Sequence, residues 1–142
     1  MEKINYTPAD LEDHEAIAAV IKDKQGRVLI FKHKKFDFWT IPIGKAEPGQ
    51  TPYQGLRQEL LEECDIQVEK ATEIATKPYE YIRNGKKVHL TLHIFLIEKY
   101  TGDIKNNEPQ KHTKMIFMSL AEIRSKDKLS DATNLFLENS GL

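Results

Sequence analysis

The sequence predicts an α/β fold in which a mixed β-sheet lies between helical layers. Three observations carry that expectation. Thr51 to about Cys64 reads as an amphipathic helix with its own start signals, and Asn84-Gly85 sits as a turn between two long strand-like runs. The order of elements is strand, strand, helix, strands, helix, with no repeat, low-complexity stretch or linker to divide it. Such an alternation buries every apolar face only if helices cover both faces of a sheet.

Composition narrows the class. At 142 residues the chain is most simply one domain spanning 1–142, large enough for a real core. A 39% apolar and 30% charged composition belongs to an ordinary globular protein. The net charge of −1 argues against an extended nucleic-acid surface or attraction to anionic membrane. No stretch approaches the ~20 apolar residues of a membrane span, and the N-terminus lacks a signal-peptide core, so a cytoplasmic location is expected.

In chain order, residues 1–13 are polar and acidic and are expected to form a loose N-terminal arm. His14 to Ile21 is apolar, Asp23-Lys24-Gln25-Gly26 is a turn, and Val28 to Lys34 is a second strand, which together predict a hairpin. Lys32-His33-Lys34-Lys35 ends that strand with a basic cluster suited to solvent or to a phosphate. In Phe36-Asp37-Phe38-Trp39, Trp39 is expected to pack, while Phe36 and Phe38 border a pocket, because a loop tip rarely buries two aromatics. Lys45 follows Gly44 and faces either solvent or a phosphate.

Thr51 is a good N-cap, Pro52 suits the first helical position and Gln54 completes a capping box. Tyr53, Leu56, Leu60 and Cys64 then recur at spacings of three and four, giving one buried stripe. The single cysteine lies on that stripe and excludes an internal disulfide. Asp65 falls where the chain turns left-handed at the C-cap, a position glycine fills at less cost.

Gln67 to Thr76 reads as extended. Tyr79 to Arg83, Asn84-Gly85 and Lys86 to Ile97 form a hairpin with the type I′ signature. His89 and His93 share a strand face, but four residues of strand separate them by about 13 Å, too far to share one metal ion. They are expected on a polar or pocket-lining face. Ile104 to Thr113 is a polar loop and Met115 to Met118 a short strand. Ser119-Leu120-Ala121-Glu122 opens a short helix, and Ser130 or Asp131 to Glu138 is the last one.

The chemistry concentrates on the helix. Glu59, Glu62 and Glu63 share about one turn, and no Lys or Arg lies three or four residues from any of them. Each like-charge pair at those spacings costs roughly 0.2–0.5 kcal/mol, and a solvated face normally interleaves cations. A hard divalent ion with oxygen ligands would relieve the crowding.

The approach to this helix, Trp39-x-Ile41-Pro42-x-Gly44-Lys45-x-Glu47-x-Gly49, resembles the Nudix hydrolases, whose signature is G-x5-E-x7-R-E-U-x-E-E-x-G-U with U aliphatic. Gly44 takes the first glycine, Glu59-Leu60 the E-U pair, Glu62-Glu63 the double glutamate and Ile66 the final aliphatic. The departures are Gln50 for Glu, Gln58 for Arg, Asp65 for Gly, and Ile43 where many members have a further glycine. Glu108-Pro109-Gln110-Lys111, followed by a strand and Ser119-Leu120-Ala121-Glu122-Ile123, resembles the MutT-type branch that cleaves nucleoside triphosphates.

The resemblance implies an α/β/α sandwich over residues 14–140. It implies Mg2+ (or Mn2+) bound by Glu59, Glu62 and Glu63 with the Gly44 carbonyl; Glu108 is either a further ligand or a plain loop turn. Glu59, Glu62 and Glu63 would be the catalytic residues; one of them or Glu108 accepts the water's proton, with Glu59 favoured as that base. The resemblance puts Lys32 or His33 at the substrate phosphates, and Lys45 and Phe38, from their positions in the chain, are the further candidates to meet substrate. The implied reaction converts a (d)NTP to its monophosphate and pyrophosphate. The alternatives are an ADP-ribose or dinucleoside polyphosphate pyrophosphatase, or a nucleotide-binding module with weakened catalysis. A homodimer is left open. Gln50 and Gln58 replace an acid and a base together, so neither leaves a lone charge, and the two amides are expected to bond each other or nearby backbone and still orient Glu59.

Overall fold

Strands that are apolar on both faces must be covered on both, and that requirement organises the molecule. A computed structural model describes residues 4–140, containing strands β1 (His14–Val20), β2 (Val28–His33), β3 (Phe38–Thr40), β4 (Ile43–Lys45), β5 (Gln67–Arg83), β6 (Lys86–Thr101) and β7 (His112–Met118). Its α-helices are α1 (Pro52–Cys64), α2 (Leu120–Arg124) and α3 (Asp131–Glu138). The strands form a mixed four-stranded sheet, ordered β4-β1-β6-β5 with β1 and β6 parallel, and an antiparallel three-stranded sheet, ordered β3-β2-β7.

Alternate residues sort into two cores. Ala18 and Val20 of β1, Val28 and Ile30 of β2, and Leu90, Leu92 and Ile94 of β6 pack with Ile123 of α2 and with Leu135 and Phe136 of α3. Their neighbours Ile17, Ala19, Leu29, Phe31, Phe95 and Ile97 pack with Leu56, Leu60 and Cys64 of α1. The expected α/β/α layering follows from this two-residue period.

Two expectations need correction. The turn after β1 forms, with Asp23 Oδ1 accepting the Gln25 and Arg27 N–H groups, but the strands do not continue as a hairpin. Beyond a Lys22–Val28 bridge they diverge, β1 to partners β4 and β6, β2 to partners β3 and β7. Each run is apolar on both faces and fits the centre of a sheet, where both edges are paired. Nor are residues 7–13 a loose arm. Thr7 caps a 3₁₀ turn at Pro8–Leu11 through a complete capping box with Asp10, and Asp10 is buried. Residues 1–3 of that expected arm lie outside the described residues.

Elsewhere local chemistry acts as read. Thr51 and Gln54 exchange side chain-to-backbone bonds at the start of α1, and Asp65 ends the helix at φ 61°. Asn84 and Gly85 both have positive φ, 51° and 76°, as the type I′ turn requires. The extended segment before the turn and the run Tyr79–Arg83 join into one strand, β5. It tolerates Pro78 because it is a sheet edge. Strand β7 starts at His112, earlier than Met115.

Candidate active site

Leu56 and Leu60 are fully buried beneath β1 and fix the rotation of α1. Burying each is worth about 1.5–3 kcal/mol, well above the glutamate repulsion, so the apolar stripe decides which way the acids point. The same rotation turns Glu59 and Glu63 toward β4. Glu59 lies so close over Gly44 that a Cβ there would come within 2.5 Å of its Cγ and Cδ. Only glycine allows this approach.

Glu63 is 5% exposed, and its Oε2 has no hydrogen-bond partner. Burial first, then the Glu59 charge and a hydrogen bond with that carboxyl, raise the Glu63 pKa far above the ordinary carboxylate range. Burial also raises Glu59, with the Glu62 and Glu108 charges adding to it. The pair therefore holds a proton that separate surface carboxylates would have lost.

Glu108 reaches this pair because the loop after β6 satisfies the end of α1. Carbonyls there lack helical partners, and Cys64 O accepts the Lys105 N–H while Glu63 O accepts the Asn107 N–H. Glu108 is itself paired with Lys111 at 3.1 Å.

Glu62 points the other way. Its Oε1 accepts a bond from Gln58 Nε2 at 3.0 Å, Gln58 Oε1 accepts from Gln50 Nε2, and Gln50 Oε1 accepts the Glu47 N–H at 2.8 Å. The two amides are thus bonded to each other, as expected from their joint neutrality. The glutamate they hold, however, is Glu62 and not Glu59, because Gln58 lies one helical turn from Glu62 and only one residue from Glu59.

Among the described residues, no group of three His, Cys, Asp or Glu side chains is arranged to hold a metal ion as it stands. The donor chemistry nevertheless fits a hard divalent cation. Glu63 carries an orphaned buried oxygen beside a second acid, and the Glu108 charge disfavours ionisation of both. Bringing Glu62 in sacrifices one exposed hydrogen bond, about 1 kcal/mol.

Glu59 and Glu63 form part of the wall of a cleft of about 600 Å³, lined from both sheets. Gly44, Lys45, His33, Phe36 and Phe38 line it too. His33 is held neutral: burial, then the nearby His112 and Lys35 charges, lower its pKa to about 4. Its Nδ1 accepts the Phe36 N–H, which leaves Nε2–H as the free donor. Lys32 does not line the cleft. It alternates to the opposite face of β2, bonds Asp37 at 3.2 Å and lies over the Trp39 ring. Of the two basic candidates on this strand, the cleft wall therefore takes His33 and not Lys32. Trp39 packs against the core, as read. Nor do His89 and His93 line the cleft; they pair with surface carboxylates, His93 with Glu73 and Glu15.

Several lining residues were missed. Asp10 reaches the cleft through the turn at residues 8–11, and Thr7-Pro8-Ala9-Asp10 is a capping pattern that could have flagged it. Tyr81 bonds Asp131 at the start of α3, which is fixed by Ser130 Oγ donating to Thr40 Oγ1 at 2.7 Å. No local sequence signal joins positions fifty residues apart.

The model of the NUDIX domain family matches residues 12–138. This chain belongs to the Nudix family. It is a Nudix pyrophosphohydrolase, as the imperfect signature implied. Among curated relatives, an 8-oxo-dGTP diphosphatase of Proteus vulgaris is 34% identical over 91 residues, 61% of this chain and 78% of that protein. An oxidized purine nucleoside triphosphate hydrolase of Danio rerio is 32% identical over 90 residues, but this chain spans only 56% of its length. A MutT NUDIX hydrolase from Burkholderia pseudomallei shares the fold with a TM-score of 0.77 at 24% identity, over 90% of this Nudix chain and 98% of that one. No helix among the described residues is long and apolar enough to cross a membrane.

Proposed function

We propose that this Nudix enzyme is a metal-dependent nucleoside triphosphate pyrophosphohydrolase that releases pyrophosphate and a nucleoside monophosphate, with oxidised purine nucleotides as its preferred substrates. The observation that carries the reading is the pairing of half-buried Glu59 with buried Glu63 on the wall of a cleft that also holds Lys45 and a neutral histidine. The names of the Proteus and Danio relatives support the substrate class.

Glu59, Glu62, Glu63, the Gly44 carbonyl and Glu108 would hold Mg2+ or Mn2+, which supplies neutralisation of the polyphosphate and acidification of the attacking water. Glu59 takes the water's proton on a carboxylate oxygen as the water oxygen bonds to phosphorus. The P–O bridge between the α and β phosphoryl groups breaks, and its electron pair leaves with the departing oxygen. General-base help of this kind is worth about 10²–10⁴-fold. Lys45 meets the phosphate chain, and the His33 Nε2–H donates to a phosphate oxygen without adding charge. Phe36 and Phe38, whose rings lie 5.4 Å apart, offer an apolar wall to the nucleoside. The Gln50–Gln58 pair holds Glu62 until it is needed.

The experiment is a hydrolysis panel with Mg2+. Pyrophosphate release from 8-oxo-dGTP should exceed that from unmodified dNTPs and exceed hydrolysis of ADP-ribose or dinucleoside polyphosphates. A preference for ADP-ribose or a dinucleoside polyphosphate would overturn the substrate assignment.

A further inference from the structure

The turn at Pro8–Leu11 links the two sheets across the cleft by charge. Asp10 is 3% exposed, and each of its oxygens holds one lysine: Oδ2 accepts from Lys35 Nζ at 2.6 Å and Oδ1 from Lys45 Nζ at 2.6 Å. Lys35 belongs to the β2–β3 loop of the three-stranded sheet, and Lys45 to β4 of the other. Both line the cleft that contains Glu59 and Glu63.

The remaining anchors of this turn are weak. Asp10 is its one buried side chain, while Pro8 and Ala9 are exposed. Tyr6 contributes ring contacts to Arg83 and Lys35, and Arg83 donates to the Asp10 carbonyl at 2.8 Å. A segment fixed by apolar burial would stay put when an anion arrives. One fixed by a carboxylate between two ammonium groups can be exchanged, and an anion with more charge and more acceptor oxygens competes well for such donors.

We propose that Lys35 and Lys45 together form a receiving site for a phosphate group of the substrate, and that Asp10 is the chain's own anion, exchanged out with its turn when that phosphate binds. Only the identity of the phosphate donor rests on the function proposed above. The cleft is then latched at rest, and the substrate supplies the charge that opens it. A purely positioning role for Asp10 has the opposite consequence: removing its charge would leave the lysines disordered and weaken anion binding.

The test uses the full chain, inorganic tripolyphosphate as the probe, and no divalent metal. Calorimetric titration should show Asp10→Asn binding the probe roughly tenfold more tightly than the parent, the worth of one charge-assisted hydrogen bond. Lys35→Met should bind it more weakly. In the parent, saturating probe should speed hydrogen exchange at the Thr7 and Asp10 amides, which bond Asp10 Oδ2 and the Thr7 carbonyl, and leave the α1 amides unchanged. Equal or weaker binding by a folded Asp10→Asn, or unchanged exchange at Thr7 and Asp10 in the saturated parent, overturns the proposal. Should Asp10→Asn not fold, the parent's exchange decides. No turnover enters this assay, so failure to hydrolyse nucleotides overturns the functional reading while these results still judge the latch.

Discussion

Replacing Glu63 by Gln should make the metal-free protein more stable at pH 8 and much less so at pH 5. Glu63 is 5% exposed, carries an unpartnered oxygen and adjoins Glu59. Gln has the same shape without the charge, and its amide can donate to Glu59. An unsatisfied buried polar group costs about 1–3 kcal/mol, more when charged, so relief of that order is expected. For a chain of this length that is a rise in Tm of roughly 3–10 °C. The sign follows from linkage. The folded-state pKa of Glu63 lies above its unfolded value. Below the ordinary carboxylate range both states hold the proton and the substitution changes little. As pH rises past that range the unfolded chain ionises first, the parent loses stability, and the advantage of Gln grows. Thermal melts in chelator at the two pH values make the measurement. Adding Mg2+ should then raise the Tm of the parent and do little for the variant, because a ligand bound only by the native state stabilises it. A variant less stable than the parent at pH 8, or an offset equal at both pH values, would refute the reasoning.

Two further substitutions probe how the acids are placed. Gly44→Ala puts a Cβ within 2.5 Å of the Glu59 side chain. It should preserve the circular dichroism spectrum yet lower kcat/KM by about 10²-fold, the usual cost of a ~1 Å misplacement of a catalytic group; unchanged turnover would mean that Glu59 has another place to sit. Gln58→Arg alone should help little or harm, since it breaks the Gln50–Gln58–Glu62 chain, whereas Gln50→Glu with Gln58→Arg should match or exceed the parent. A double-mutant cycle on kcat/KM reads the coupling, and additive effects would show that the pair does not act as a unit.

What was legible in the sequence is what local chemistry controls. Thr51, Pro52 and Gln54 fixed where α1 starts, Asn84-Gly85 fixed the long hairpin, and the crowding of Glu59, Glu62 and Glu63 without cations marked the site. Those signals act over a few residues, so they can be read without knowing the partner strands. Long-range choices were not legible. Nothing between His14 and Lys34 says that β1 and β2 part into separate sheets, because an apolar run shows burial but not its neighbour. Lys32 and His33 looked interchangeable as phosphate contacts, and only the pleat of β2 separates them. Asp10 fell within the expected loose arm because its two lysines lie 25 and 35 residues away. The Gln50–Gln58 bond was foreseen from paired neutrality, but its target was misjudged, since helical geometry joins residue 58 to 62.

The most direct test of the Glu59–Glu63 centre is kcat/KM for Mg2+-dependent pyrophosphate release from 8-oxo-dGTP by the parent and by Glu59→Gln. The account predicts a fall of about 10²–10⁴-fold, carried by kcat with KM little changed, in a variant at least as stable as the parent. Parental turnover by Glu59→Gln, or a parent that releases no pyrophosphate from any nucleoside triphosphate in the presence of metal, would contradict it.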